Sequence, residues 1–215
     1  GAVIAKVNQD NTMGAIIALN CETDFVAKNE NFVELAHELA EQAVFYANKE
    51  EFFASDFHGM TVADKLIEQT GLIGEKIEIG SFERIEGPFL GAYIHAGNKI
   101  AAITSLSGDV DGAAEVAKAV SMQVAAMNPI ALDETMVSQE TIDKELEIEK
   151  ELLVKEGKPA NIIDNILKGK MQKFYKDNTL IHQAFIKDGN MSVADYVKSV
   201  NGDLKVVGFV RVSLT

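Results

Sequence analysis

Apolar and polar residues alternate along the first twenty residues with the two-residue period of a β-strand. Apolar runs at 2–7 and 14–19 are separated by the turn-rich segment 8–11, and this pattern predicts a β-hairpin. A third alternating run at 76–85 predicts a strand that closes a three-stranded sheet.

Between these strands the apolar period changes to the three or four residues of an α-helix. One apolar stripe predicts a helix with Asn31 at its N-cap. The stripe consists of Phe32, Leu35, Ala36, Leu39, Ala40 and Ala43. A second helix is predicted over 62–69, with Gly71 and Gly74 marking its end.

The same order of elements returns in the second half of the chain. Apolar runs at 90–95 and 100–106 flank a glycine turn and predict another hairpin. Small and apolar residues over 115–127 predict a helix that packs on a sheet, and the alternating run 204–212 predicts a last strand. A repeated order of elements favours a duplicated architecture.

The sequence therefore predicts an α+β fold of two similar lobes, 1–87 and 88–215, each with a three-stranded antiparallel sheet and helices. A long helical pattern over about 138–177 is interrupted only at Gly157-Lys158-Pro159. Because glycine suits a helix C-terminus and proline the next N-terminus, this insertion is predicted to be an antiparallel helical hairpin, a coiled coil.

The two predicted arms of this hairpin have opposite charge. Residues 138–156 contain seven acidic residues and three lysines, whereas residues 158–176 contain five lysines and one aspartate. Their charges of −4 and +4 cancel, so the chain's net charge of −13 belongs to the two lobes. Leu146, Leu153, Ile163, Leu167 and Phe174 are predicted to form an apolar seam between the arms.

Composition narrows the class of protein. Acidic residues outnumber Lys and Arg by 33 to 20, so direct nucleic-acid binding is not expected. There is no apolar run of membrane-spanning length and no leader segment, so no membrane partner is expected. A single cysteine, Cys21, favours a reducing cytoplasm.

No motif for covalent chemistry is present, and the chain is not expected to be an enzyme. Nucleotide-binding glycine loops, the nucleophile elbow and the metalloprotease helix motif are all absent. The histidines are too scattered to indicate a metal site, and no cofactor is expected. Cys21 ends an apolar strand, where a buried free thiol is the commoner outcome.

One short segment after the first hairpin, 20–29, is not explained by these patterns. Either Thr23 or Asp24 can open a short helical turn there. Taken from the residues alone, this segment places Asp24 at a helix cap and Phe25 in the core.

The run Asn20-Cys21-Glu22-Thr23-Asp24-Phe25-Val26-Ala27-Lys28 resembles the signature of bacterial elongation factor Ts, the guanine nucleotide exchange factor of elongation factor Tu. Further motifs follow in that family's order over nearly the whole chain. They are Ile73-Gly74-Glu75, Gly91-x-Tyr93-x-His95, Met122-x-Val124-Ala125-Ala126, Gly157-Lys158-Pro159 and Gly208-Phe209-Val210-Arg211. The resemblance implies two α+β subdomains with a protruding antiparallel coiled coil.

The resemblance also implies a site that contacts elongation factor Tu. Phe25 is expected to wedge between helices of the partner's GTPase domain, and Asp24 to disturb its magnesium–water shell. The residues assigned to this contact are Thr23, Asp24, Phe25, Val26, Ile73, Gly74 and His95. Without the resemblance, Ile73 reads as a core residue and His95 as an ordinary strand residue.

The chain is expected to differ from the family in two respects, and two other functions stay open. Members of the family usually begin with a small helical domain, which this chain is expected to lack, and Gln123 stands where some members have histidine. One alternative is a ribosome- or assembly-associated scaffold that acts through the helical hairpin. The other is an α+β enzyme with an unrecognised acidic site.

Overall fold

A computed structural model describes all residues 1–215 and confirms the α+β fold. The strands are β1 (Ala2–Val7), β2 (Met13–Asn20), β3 (Asp56–Phe57), β4 (Met60–Thr61), β5 (Glu78–Glu86), β6 (Phe89–Ile94), β7 (Ile100–Leu106), β8 (Ala184–Phe185), β9 (Asp188–Ser192) and β10 (Val206–Ser213). The helices are α1 (Asp24–Ala27), α2 (Glu30–Ala43), α3 (Lys49–Ala54), α4 (Val62–Ile73), α5 (Ala113–Met127), α6 (Gln139–Lys155), α7 (Ala160–Asn178) and α8 (Val193–Val200). None of these helices is both long enough and apolar enough to cross a membrane.

The first sheet has the strand order β1-β2-β5, antiparallel throughout, as the alternating runs predict. All six residues of the predicted stripe on α2 are buried against it. The predicted cap is wrong, because α2 begins one residue earlier than Asn31. Asn29 is the N-cap, and its side chain accepts hydrogen bonds from the N–H groups of Asn31 at 2.9 Å and Phe32 at 3.4 Å.

Helix α4 runs one turn beyond its predicted end. Gly71 lies inside the helix, whereas Gly74 ends it in the left-handed conformation with φ +79°. Pattern reasoning also misses α3 and the small β3–β4 hairpin, since each is too short for a period to be visible. That hairpin turns at His58 and Gly59, both with positive φ, as a tight two-residue turn requires.

The second sheet has the order β10-β7-β6, again antiparallel, and α5 covers its outer face. The helix packs closely against β6 at Gly91. A Cβ atom added to Gly91 would lie 2.4 Å from the Cβ of Ala117, so only glycine allows this packing. Gln123 of α5 is completely buried and therefore makes no surface contact. Its amide oxygen accepts from the N–H of Ile186 at 2.8 Å and its amide nitrogen donates to the carbonyl of Ala184 at 3.0 Å.

The two sheets pack face to face, with one helical layer outside each. Alternate residues of β1 show the arrangement, because Ala2 and Ile4 face the helices of the first lobe whereas Val3 and Ala5 face the second sheet. The buried layer between the sheets consists of Val3, Ala5, Ile16, Ala18, Leu90, Ala101, Ile103 and Val212. The lobe boundary at residue 88 stays a prediction, since this layer contains residues from both sides of it.

Helices α6 and α7 form the predicted antiparallel hairpin, with Gly157 at φ +75° between them. Leu153 and Ile163 are buried in the seam. The opposite charges of the arms produce one ion pair between them, from Lys170 Nζ to Glu149 Oε2 at 2.8 Å. Because the pair is partly exposed, the seam contributes more to arm pairing than this ion pair does.

The layer between the sheets predicts that both halves unfold together. Replacing fully buried Ile16 with alanine should lower the free energy of unfolding by about 2–5 kcal/mol, because it leaves a cavity in that layer. Urea denaturation measures the loss, and hydrogen exchange should show weaker protection in β7 as well as β2.

The matched control is Ile67→Ala, because this side chain is 70% exposed on α4. It should change the free energy of unfolding by no more than about 0.5 kcal/mol. Faster exchange confined to the first sheet in Ile16→Ala would show that the layer does not couple the sheets.

Candidate functional site

The segment between β2 and α2 folds as the single helical turn α1. Thr23 is its N-cap, and the Thr23 hydroxyl accepts a hydrogen bond from the N–H of Val26 at 3.4 Å. Val26 packs against the core of the first lobe, and Ala27 is buried. Thr23 fixes the turn through its cap, and Val26 fixes it through packing against the core.

Phe25 is directed into solvent, with 91% of its surface exposed. The residue-based expectation of a core phenylalanine is therefore wrong. In a turn of four residues, Val26 and Ala27 occupy the positions that face the protein, and Phe25 is left on the opposite side. An isolated aromatic ring held in this way is a typical anchor for another protein.

Asp24 lies beside Phe25 in the first turn of α1, and Thr23 rather than Asp24 is the cap. Its carboxylate Oδ1 lies 3.8 Å from Lys99 Nζ, and the Asp24 side chain is 80% exposed. Lys99 also donates a hydrogen bond to the carbonyl of Gly1 at 3.0 Å. Since such exposed ion pairs contribute little free energy, Asp24 is oriented but not sequestered.

Glu75 holds the turn in place. One carboxylate oxygen, Oε1, accepts from the N–H groups of Glu22 at 2.9 Å and Thr23 at 3.0 Å. The other, Oε2, accepts from the hydroxyl of Thr23 at 2.7 Å. The hydroxyl hydrogen bond from Thr23 is the main reason that the pKa of Glu75 lies below its usual range.

Sequence reasoning did not assign Glu75 to the site, although it belongs to the motif Ile73-Gly74-Glu75. The available signal was its position directly after Gly74, the left-handed residue that ends α4. Ile73 is half-buried, packs against the first core and lines a groove together with Phe25. Gly74 is exposed beside it. The structure therefore joins residues 73–74 to the 23–26 turn through Glu75.

His95 is exposed in the turn between β6 and β7, with its Nδ1 3.0 Å from the hydroxyl of Tyr93. The same turn is tied to the first sheet by a 2.8 Å hydrogen bond from the N–H of Val3 to the carbonyl of Asn98. Through Lys99 it also reaches Asp24. His95 thus lies at the same end of the molecule as the 23–26 turn, without direct contact to it.

The arrangement is suited to insertion into a protein surface. No group of three or more His, Cys, Asp or Glu side chains is placed to hold a metal ion. Cys21 is half-buried rather than fully buried, with Sγ 3.2 Å from the carbonyl of Thr23. An exposed aromatic ring and an exposed carboxylate on one fixed turn remain as the prominent chemical features.

Comparisons with known proteins match the chain to one family over nearly its whole length. The family profile described as elongation factor TS matches residues 22–215. Elongation factor Ts of Christiangramia forsetii is 64% identical over 214 residues, covering 100% of this chain and 78% of the relative. That of Flavobacterium psychrophilum is 60% identical over the same coverage. That of Porphyromonas gingivalis is 42% identical over 203 residues, covering 93% of this chain and 73% of the relative.

The hydrogen bonds to Glu75 predict an acid-sensitive turn. The pKa of Glu75 in the folded protein is lowered below the ordinary value of about 4.3. The stabilisation is therefore present above the unfolded pKa and is lost as the pH falls through the folded pKa. Carboxyl-carbon NMR should give a midpoint for Glu75 below that ordinary value. As the pH falls through this midpoint, the amides of Glu22 and Thr23 should lose protection against hydrogen exchange relative to the intrinsic rate at each pH.

Thr23→Val should move the titration midpoint of Glu75 back toward the ordinary value, since it removes the largest cause of the shift. Thr61→Val is the matched control, because Thr61 caps α4 in the same way at its far end. An identical Glu75 midpoint in the protein and in Thr23→Val would contradict the assigned cause.

Proposed function

The chain belongs to the elongation factor Ts family, and from this premise we propose that it is the guanine nucleotide exchange factor of elongation factor Tu in translation elongation. The observation that supports this role most directly is Phe25, which is 91% exposed on a turn held by Glu75. An exposed ring on a fixed turn has an apolar surface to bury, and the backbone that carries it has little conformational freedom left to lose.

In the proposed mechanism, Phe25 enters between two helices of the GTPase domain of elongation factor Tu. Asp24, directly before it, then approaches the magnesium ion bound with the nucleotide and disturbs its shell of water. The nucleotide loses metal and phosphate contacts, and GDP leaves. The chain makes and breaks no bond, so it is not an enzyme in the chemical sense and needs no cofactor.

The free energy for this exchange comes from differential binding. A factor that binds the empty GTPase better than the loaded one weakens nucleotide binding as much as nucleotide weakens the factor. A single coupling is typically about 1–3 kcal/mol, so several contacts must act together. Ile73 and Gly74 beside the turn, and His95 at the same end, are proposed to supply the others.

Each lobe contributes residues to the proposed contact. The first, residues 1–87, contributes the 23–26 turn and the end of α4. The second, residues 88–215, contributes His95 and Lys99. The proposed partner is a protein, with no direct contact to nucleic acid or membrane, and the proposed location is the cytoplasm.

Phe25→Ala should reduce the coupling by about 2 kcal/mol or more, roughly a thirtyfold slower release of GDP, because it removes a desolvated anchor. Stopped-flow release of fluorescent GDP from elongation factor Tu at saturating factor measures this. The free energy of unfolding should change by no more than about 0.5 kcal/mol, since the ring is exposed.

Phe45→Ala is the matched control, because Phe45 is also exposed, at 63%, but follows the far end of α2. It should leave GDP release unchanged. If GDP release with Phe25→Ala is as fast as with the unaltered protein, Phe25 does not act as a wedge.

Removing residues 141–176 and joining the ends with a short glycine linker separates exchange from a scaffold role. The hairpin buries its seam residues Leu153 and Ile163 internally, so the two-sheet core should fold without it. Exchange should be retained on the remaining lobes. A folded variant, verified by circular dichroism and urea denaturation, that has lost all exchange would favour a hairpin-based scaffold instead.

A further inference from the structure

A groove between α2 and α4 opens directly beside Phe25. Its near part, about 460 Å³, is lined by the apolar side chains Phe25, Val26, Phe32 and Ile73. Its far part, about 230 Å³, ends at the β3–β4 turn. Asn31 of α2 and Gln69 of α4 line both parts, so the two parts adjoin each other along the two helices.

The far part of the groove is acidic. Glu34 and Glu38 project from α2, and Glu34 makes no ion pair. The lysine on the opposite wall, Lys65, is already paired with Glu68 at 2.8 Å. Glu38 lies 3.3 Å from the ring of His58, which is charged only when protonated. Glu34 therefore has no cationic partner, and the partner of Glu38 is a histidine and not a lysine or arginine.

A helix lying along α2 would meet these features one after another. Glu34 and Glu38 are one turn apart on α2, about 6 Å along its axis. They lie about 6 and 12 Å from the start of α2, next to the apolar part of the groove. A helix in the groove would place apolar side chains near Phe25 and basic side chains one and two turns further on.

We propose that this groove binds one helix of the partner's GTPase domain, through an apolar segment beside Phe25 and Lys or Arg side chains opposite Glu34 and Glu38. The inference rests on the function proposed above. If the ring of Phe25 enters between two helices, one of them must lie on the groove side of that ring. Two features favour this occupant. The groove adjoins the contact proposed for Phe25, and its far part is acidic.

Other occupants fit less well. The phosphate backbone of a nucleic acid would be repelled by Glu34 and Glu38. A second copy of this chain would meet its own acidic helix, since α2 also has Glu30 and Glu41 on its surface.

The test is the association rate constant with nucleotide-free elongation factor Tu, measured by stopped flow between about 25 and 200 mM salt. Over this range the screening length falls from about 20 Å to about 7 Å. The variant E34Q/E38Q should associate roughly threefold to tenfold more slowly at low salt, with a flatter salt dependence. The matched control D109N/D111N removes the same charge from the loop beyond β7, at the opposite end of the second sheet from Lys99. It should behave like the unaltered protein.

Carbodiimide coupling in the same complex identifies the occupant. Cross-links from Glu34 or Glu38 to a lysine on a helix of the GTPase domain support the proposal. Cross-links to another domain or to a second copy of this chain would overturn it, as would an equal slowing of both double variants or no slowing of E34Q/E38Q.

Measuring GDP release at saturating factor tests the exchange role separately from binding in the groove. Normal acceleration by E34Q/E38Q without any change in association rate would overturn the groove alone. Binding and cross-linking through the groove without acceleration by the unaltered protein would overturn the exchange role alone.

Discussion

The inner faces of the two three-stranded sheets have to bury each other, because helices cover each sheet on one side only. Both faces of β1 are apolar, and exposing either would cost about 25 cal/mol for each Å² of apolar surface. The buried layer fixes how the sheets lie relative to one another. With the hydrogen bond from Val3 to Asn98, it brings the β6–β7 turn to the start of β1, where Lys99 reaches Asp24.

The position of the proposed contact surface around Phe25 depends on this packing of the two sheets. Phe25 makes no stabilising contribution in the free protein, so its position must come from residues that do not cover it. Val26 attaches the turn to the core, and Glu75 fixes its backbone and its cap with three hydrogen bonds. These contacts lie behind the ring and leave its outer surface free. The backbone of the turn is ordered on folding, so binding has less conformational entropy to remove.

Periodicity predicts those elements whose faces are strongly patterned. The α2 stripe, both hairpins and the helical arms follow from the sequence because each repeats one period over many residues. Features set by distant residues were not predictable in this way. No period indicates that Glu75 bonds Thr23 across 52 positions, or that Val3 faces a second sheet. Phe25 was misassigned to the core for the same reason, because only the resemblance distinguished it from a buried phenylalanine.

The backbone of the turn is held strongly, whereas the side chains of Asp24 and Phe25 on it are held weakly. Glu75 accepts three short hydrogen bonds, whereas the Asp24–Lys99 pair is long, at 3.8 Å, and exposed. If the turn rearranged on binding, part of the binding free energy would drive that rearrangement. That part would not be available to weaken nucleotide binding. A carboxylate locked in a strong ion pair would in turn have to break that pair before approaching another cation. A rigid backbone with a weakly held carboxylate avoids both losses, and this arrangement suits the proposed exchange by differential binding.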